Sequence, residues 1–317
     1  MRALITGVAG QDGTLLSELL VNQGWEVHGT RMPGEQLPES HALELTQIMD
    51  LEITDFTQVS DVIGAVKPEV IFHLAGISSV GFSIAHPDLT HEVNVGGAKN
   101  LLEAIEQASL SNTHLIQAAS TEIFAESDEA LTESSALGPR SPYAESKAAA
   151  VGLIQEARKS GMKTTNAILA NHESYLRTTD FVTGKIAHEV ARISLGLVDH
   201  IDLGNIDVEK NWSSARDIVV GLRLIAETKY VGDIILANGR STKLTEILEA
   251  AFVHIGISDW GACVRPDDTL VRSQEAKMVR IDPGLAKREL GWEASTPLSG
   301  WVAEMVDYQI KQISNRT

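Results

Sequence analysis

Tyr143 and Lys147, four residues apart in Ser141-Pro142-Tyr143-Ala144-Glu145-Ser146-Lys147, are the first residues whose types and spacing suggest chemistry. On a helix that spacing puts both side chains on one face, one turn apart. A fixed ammonium beside a phenol favours the phenolate, so the pair predicts a tyrosine of lowered pKa, usable as a base near neutral pH. Ser141-Pro142 fits the start of such a helix, with serine as N-cap and proline at the first helical position. A second group, Ser120-Thr121-Glu122, sits where an apolar run, His114 to Ala119, opens into a loop. A serine there could hold a substrate oxygen beside Tyr143, and a partly desolvated carboxylate two residues on could act as a base. Each group alone has a plainer reading, a surface tyrosine and lysine sharing a helix or a capped turn. The company they keep argues against it.

The elements that must position these residues begin at the N-terminus. Arg2-Ala3-Leu4-Ile5-Thr6 reads as a buried strand that stops at Gly7, and Leu15, Leu16, Leu19 and Leu20 follow with helical spacing. Between them Gly7, Gly10 and Gly13 form Gly-x-x-Gly-x-x-Gly, a loop whose bare backbone can approach a pyrophosphate seated on the helix N-terminus. The next strand, Trp25 to Thr30, ends at Arg31, where an arginine suits the 2′-phosphate of NADP and an acidic residue would suit NAD. Asp50-Leu51 after another short strand could hold the adenine, and the strand Val70-Ile71-Phe72-His73-Leu74-Ala75 enters Gly76. Helical stretches near 55–66, 88–108 and 142–160 alternate with these strands. The fold class expected is therefore α/β, a Rossmann-type doubly wound parallel sheet over residues 1–165. Residues 166–317 are less regular, with helical periodicity at 181–196, 214–227, 242–255 and 298–312. They read mainly as a smaller mixed α/β substrate domain, with a segment near 206–240 returning to the nucleotide domain.

Composition narrows the class. The 317 residues are 43% hydrophobic and 22% charged, ordinary for a globular enzyme with a substantial core. A formal net charge of −17 argues against nucleic acid or an anionic membrane as partner. A small anionic substrate would need a local basic pocket. A single cysteine, Cys263, excludes an internal disulfide and a thiolate metal cluster, and the histidines show no ligand spacing, so no metal is expected. Without a long apolar run or a signal sequence, the expected location is cytoplasmic.

The glycine loop, the strand-end serine and Tyr-x-x-x-Lys, in this order, resemble the extended short-chain dehydrogenase/reductases. More specific segments are similar to the GDP-mannose 4,6-dehydratases. These are Gly-x-x-Gly-Gln-Asp-Gly, Ser-Pro-Tyr-Ala, Asn171-His172-Glu173-Ser174, Phe181-Val182-Thr183-x-Lys185-Ile186, Leu203-Gly204-Asn205, Trp212 with Ala215-Arg216-Asp217, and Leu290-Gly291-Trp292. The resemblance implies NADP held by Gly7, Gly10, Gln11, Asp12, Gly13, Arg31, Asp50, Leu51, Leu74, Ala75, Tyr143 and Lys147. It implies a GDP-sugar, with GDP-mannose first, held by Ser83, Asn171, Lys185, Arg216, Arg272 and Glu275. In the implied reaction Tyr143 removes the O4 proton as hydride leaves C4, Ser120 holds O4 and Lys147 holds the phenolate. Glu122 then takes the C5 proton, water leaves from C6, and the hydride returns to C6. Related readings are a reductase of the 4-keto-6-deoxy product, an epimerase, or a non-catalytic NADP-sensing protein. Glu122 argues for elimination, and the tyrosine–lysine pair argues for catalysis.

Three departures from the family pattern matter. The strand-end motif, Thr-Ser-Glu in the family, is Ser120-Thr121-Glu122 here. The longer Arg- and Ser-rich segment after the second strand, which contacts cofactor and a neighbouring subunit, is replaced by Met32-Pro33-Gly34-Glu35. The expected assembly is accordingly a homo-oligomer, a dimer rather than a tetramer. The Arg-x-x-Glu pair that holds the nucleotide falls on Arg272-Ser273-Gln274-Glu275, with Arg265-Pro266-Asp267-Asp268 as the alternative.

Overall fold

The computed structural model describes residues 1–38, 45–267, 269 and 280–315. Seven parallel strands form the central sheet: β1 (Arg2–Thr6), β2 (Glu26–Arg31), β3 (Gln47–Asp50), β4 (Val70–His73), β5 (His114–Ser120), β6 (Lys163–Leu169) and, after an excursion, β11 (Gly232–Leu236). The excursion holds four short strands, β7 (Asn171–Glu173), β8 (Ile201–Leu203), β9 (Glu209–Lys210) and β10 (Trp212–Ser214). Spatial order is β11-β6-β5-β4-β1-β2-β3, so the winding reverses between β1 and β4. Such a reversal opens a crevice outside the carboxyl ends of the strands. This is the doubly wound sheet that the alternation of strands and helices predicts.

Side-chain alternation divides the strands between two apolar layers. Ala3, Ile5, Val70, Phe72 and Ile116 face one core with Leu16 and Leu20 of α1 (Gln11–Asn22). Leu4, Ile71 and Leu115 face the other, with Ile63 of α2 (Phe56–Val66). After a short α3 (Val80–Ala85), the helix expected near 88–108 runs without interruption as α4 (Pro87–His91), a π turn over Glu92–Gly96 and α5 (Gly97–Gln107). That turn carries Asn94 inward. Its amide oxygen accepts from Ile77 N at 2.8 Å, and its amide nitrogen donates to Ile77 O at 3.0 Å and Ser146 Oγ at 2.9 Å.

Helix α6 (Pro142–Lys159) starts as its sequence predicts. Ser141 is the N-cap and accepts from the Ala144 amide at 3.1 Å, and Pro142 opens the first turn. A separate core gathers Ile186 and Val190 of α7 (Val182–Ser194), Leu248 and Phe252, and Trp301 and Met305. Helix α8 (Ala215–Thr228) and β11 pack instead with the sheet, as do Ala286, Leu290 and Trp292. Among the described residues no helix is long and apolar enough to cross a membrane.

Candidate active site

A cleft of about 300 Å³ opens at the carboxyl edge of the sheet, beside the β1/β4 reversal. Gly7, Gly10, Gln11, Asp12 and Gly13 form its floor, with Leu74 and Gly76 from the end of β4. Only glycine fits at positions 7 and 13 of this loop. Gly7 has φ +75°, and a Cβ there would lie 2.8 Å from the Ala75 backbone; one on Gly13 would lie 2.3 Å from the Gly7 carbonyl. A Cβ on Gly10 would meet only the Gly7 carbonyl, at 3.5 Å, so the loop leaves backbone facing open space there. Gly10 is also the N-cap of α1, and no side chain caps the first turn. A bare helix N-terminus behind an open glycine loop fits the pyrophosphate of a dinucleotide.

Ser120, Glu122, Tyr143 and Lys147 line the same cleft. Strand β5 ends at Ser120, which bonds the Tyr143 hydroxyl and accepts from the Glu122 amide at 3.2 Å. Ser83, expected at the substrate, is fully buried and meets the start of α6. Its hydroxyl donates to Val80 O at 2.7 Å and accepts from Tyr143 N at 3.1 Å.

The tyrosine–lysine pair differs electrically from the expectation. Burial pushes the Tyr143 phenol up to about 12, aided by the charges of Glu122 and Asp12 and opposed by Ser120 and Arg177. Lys147 is held by backbone. Its ammonium donates to the Ala118 carbonyl at 2.9 Å, and burial lowers its pKa to about 8 against the pull of Asp12. Four-residue spacing puts two side chains on one face, but burial and the Ala118 carbonyl decide what their polar tips meet.

The far wall holds Asn171, expected at the substrate, together with residues that sequence reasoning gave no role. Strand β7 pairs in parallel with β10 and brings Asn171 and His172 to the cleft. The His172 ring bonds Asp12 across the opening, Nε2 to Oδ2 at 2.8 Å. Arg177 donates to the His172 carbonyl and, at 2.7 Å, to Glu173, whose carboxylate also accepts from Thr183 at 2.8 Å. Lys210 on β9 lies 3.3 Å from Glu122 Oε1, each side chain about 30% exposed (28% and 31%). His172 stood in a quoted motif, and Lys210 lay between two others. The available signal was a charged residue inside an otherwise family-like segment.

Other expected binding residues lie elsewhere. Arg216 does not line the cleft; on α8 it is bound by Glu304 at 2.6 Å and stacks on Tyr175. Its neighbour Asp217 is buried and ties down Ser295 and Thr296. Lys185 donates to the Asp202 carbonyl at 2.6 Å, also away from the cleft. Arg31 and Asp50 meet each other at the ends of β2 and β3, Nε to Oδ1 at 2.9 Å. The Leu51 side chain is buried in the core beneath them. Arg272 and Glu275 lie outside the described residues.

A doubly wound sheet with a glycine loop at its switch point, and a Ser–Tyr–Lys set with a carboxylate in one cleft, defines a dinucleotide-dependent enzyme that works on an alcohol. A family profile described as GDP-mannose 4,6 dehydratase matches residues 4–305. GDP-mannose 4,6 dehydratase 1 of Arabidopsis thaliana is 33% identical over 325 residues, covering 98% of this chain and 90% of that protein. The chain belongs to the GDP-mannose 4,6-dehydratase family. Solved structures share its fold. RMD from Pseudomonas aeruginosa complexed with NADPH has a TM-score of 0.84 at 21% identity, covering 98% of this chain and 100% of the other. dTDP-glucose 4,6-dehydratase from Bacillus anthracis in complex with NAD has a TM-score of 0.84 at 17% identity, covering 99% and 98%.

Proposed function

We propose that the protein is a nicotinamide-dependent nucleotide-sugar 4,6-dehydratase that acts on a GDP-hexose, with GDP-mannose the first substrate to test. The observation that carries this reading is Glu122 in one cleft with Ser120, Tyr143 and Lys147, because oxidation alone needs no such carboxylate. Gly7, Gly10 and Gly13, with the first turn of α1, would hold the dinucleotide. Bound and oxidised, its nicotinamide would supply the acceptor for the C4 hydride, the donor that returns it to C6, and a positive charge that favours the Tyr143 phenolate. Ser120 orients the sugar O4, and Tyr143 takes its proton. Lys147, anchored on the Ala118 carbonyl, keeps a positive charge beneath this site. The C4 ketone acidifies the C5 hydrogen, and Glu122 removes that proton and delivers it to the C6 hydroxyl, which leaves as water. Lys210 and Arg177 are the cleft-lining cations that would face the diphosphate.

NADP is the preferred dinucleotide in this reading. Arg31 ends β2, and only its Nε is engaged among the described residues, so the rest of the guanidinium can meet a 2′-phosphate. Arg31→Ala should weaken NADP about tenfold relative to NAD, as loss of one charge-assisted bond predicts. Equal losses for the two dinucleotides would show that Arg31 does not read the phosphate.

The deciding experiment incubates the protein with NADP⁺ and GDP-mannose in deuterated water and follows products by mass. A dehydratase yields a 4-keto-6-deoxy sugar carrying solvent deuterium at C5, without net change in the dinucleotide. Glu122→Gln should lower dehydration and C5 exchange ~100- to 10,000-fold while reduced dinucleotide accumulates. Normal exchange in that variant would place the base elsewhere. Stoichiometric oxidation of NADPH against a 4-keto sugar, with no C5 exchange, would make the protein a reductase.

A further inference from the structure

His172 joins the glycine loop to the far wall, and both its ring nitrogens face acceptors. Nδ1 lies 2.7 Å from the Ala170 carbonyl oxygen, and Nε2 lies 2.8 Å from Asp12 Oδ2. A carbonyl and a carboxylate can only accept, so this arrangement asks for a proton on each nitrogen, an imidazolium. Burial opposes charge on both partners, yet their mutual attraction outweighs it and holds Asp12 below and His172 above their ordinary ranges. The pair is well shielded, the side chains 13% and 19% exposed for His172 and Asp12. Two further bonds run in parallel: Gln11 Nε2 donates to His172 O at 3.2 Å, and Ser174 Oγ donates to Gln11 Oε1 at 2.9 Å.

We propose that His172 is a positioning residue. As an imidazolium bonded to Asp12 it clamps the dinucleotide loop onto the strand that brings Asn171 to the cleft, and its deprotonation releases the clamp and weakens dinucleotide retention. The inference rests on the dehydratase reading, in which the hydride removed at C4 must stay in the cleft until it returns to C6. A loop that opened midway would lose the reduced dinucleotide and strand a keto-sugar.

The charged groups around the ring set the direction of its pH response. Asp12 on α1 stabilises the imidazolium, whereas Arg177 beyond β7 opposes it. Glu173 on β7 is occupied by Arg177 and Thr183. Glu122, Tyr143, Lys147, Asp180 and Lys210 are the other titratable groups lining the cleft. Because the folded pKa of His172 is raised and that of Asp12 lowered, the clamp is fully formed between the ordinary carboxylate and imidazole ranges and is lost as pH rises through the raised imidazole value.

The test uses the intact chain. In nitrogen-15 spectra of the dinucleotide-free protein at neutral pH, the His172 ring, identified by its disappearance in His172→Gln, should carry two protons. Asp12→Asn should shift its titration to lower pH. Fluorescence titration with NADPH should show affinity falling about tenfold across the His172 titration, the size of one charged hydrogen bond. In His172→Gln binding should be weak at neutral pH already, without that pH step. Amide exchange over residues 7–13 should quicken as the ring deprotonates. A singly protonated ring at neutral pH, or the same pH step in His172→Gln, would overturn the proposal. If the wild type binds neither NADPH nor NADH, the dehydratase reading fails. The ring protons and amide exchange then decide the clamp alone, and loop exchange indifferent to Asp12→Asn would overturn it.

Discussion

The two walls of the cleft are built in different ways. On the sheet side, each polar group hangs from a strand end or a helix start: Gly7–Gly13 after β1, Ser120 at the end of β5, Tyr143 and Lys147 on the first turns of α6. Its geometry follows from backbone elements buried on both faces. On the far side, His172, Arg177 and Lys210 come from short strands and loops; His172 and Lys210 are each fixed by a partner from a distant part of the chain, and Arg177 by Glu173 four residues away. A wall made of regular elements places its residues by local rules. A wall made of loops places them by pairing charges, and which cation keeps a free face depends on which carboxylates the fold brings near the others.

That contrast can be broken by experiment, and the largest effect should come from the residue that pins far-side chain to the sheet. Asp217 accepts from the Thr296 amide at 2.8 Å and the Ser295 amide at 3.1 Å, while its carbonyl accepts from Trp292 Nε1 at 2.9 Å. Asp217→Ala removes the acceptor of the Ser295 and Thr296 amides and hydroxyls, keeps the backbone bond from Trp292, and should lower stability in chemical denaturation by ~1–3 kcal/mol. Arg216→Ala, one residue away, breaks a half-exposed ion pair and should cost at most ~1 kcal/mol. Comparable losses in the two variants would mean that the motif Arg216-Asp217 acts as one unit.

A smaller effect should separate cations on the cleft from those outside it. Lys210→Ala should raise KM for the nucleotide sugar ~10- to 100-fold through loss of a charged contact, whereas Lys185→Ala and Arg216→Ala should change it no more than about twofold. The reverse order in steady-state kinetics would return the substrate to the positions that motif resemblance chose.

The smallest effect sharpens the account of the sheet wall. In the dinucleotide-free protein Tyr143 should ionise well above the ordinary phenol range, observed by carbon-13 labelling at its ring. Glu122→Gln and Asp12→Asn should each lower that pKa, because each removes a neighbouring negative charge. Lys147→Met should move it little. A large rise in Lys147→Met would restore the direct ammonium–phenol coupling that the four-residue spacing suggested.

Sequence alone determined the doubly wound sheet, the glycine loop at its edge and the capped start of α6. Those features are written in local patterns: alternating apolar residues, glycines where a side chain would collide, serine and proline before Tyr143. It also supplied the four residues that meet in the cleft, since strand ends and helix starts in this fold converge at one edge. Tertiary structure decided how those residues are charged. Burial raised the phenol, and a backbone carbonyl engaged the lysine. Tertiary structure also decided which of several arginines and lysines face the cleft. Arg216 and Lys185 are held by Glu304 and the Asp202 carbonyl, 88 and 17 residues away. Lys210 reaches Glu122 across 88 residues, and His172 reaches Asp12 across 160. A charge–charge contact has no periodicity along the chain, so nothing in the spacing of such residues reveals it until the fold brings them together.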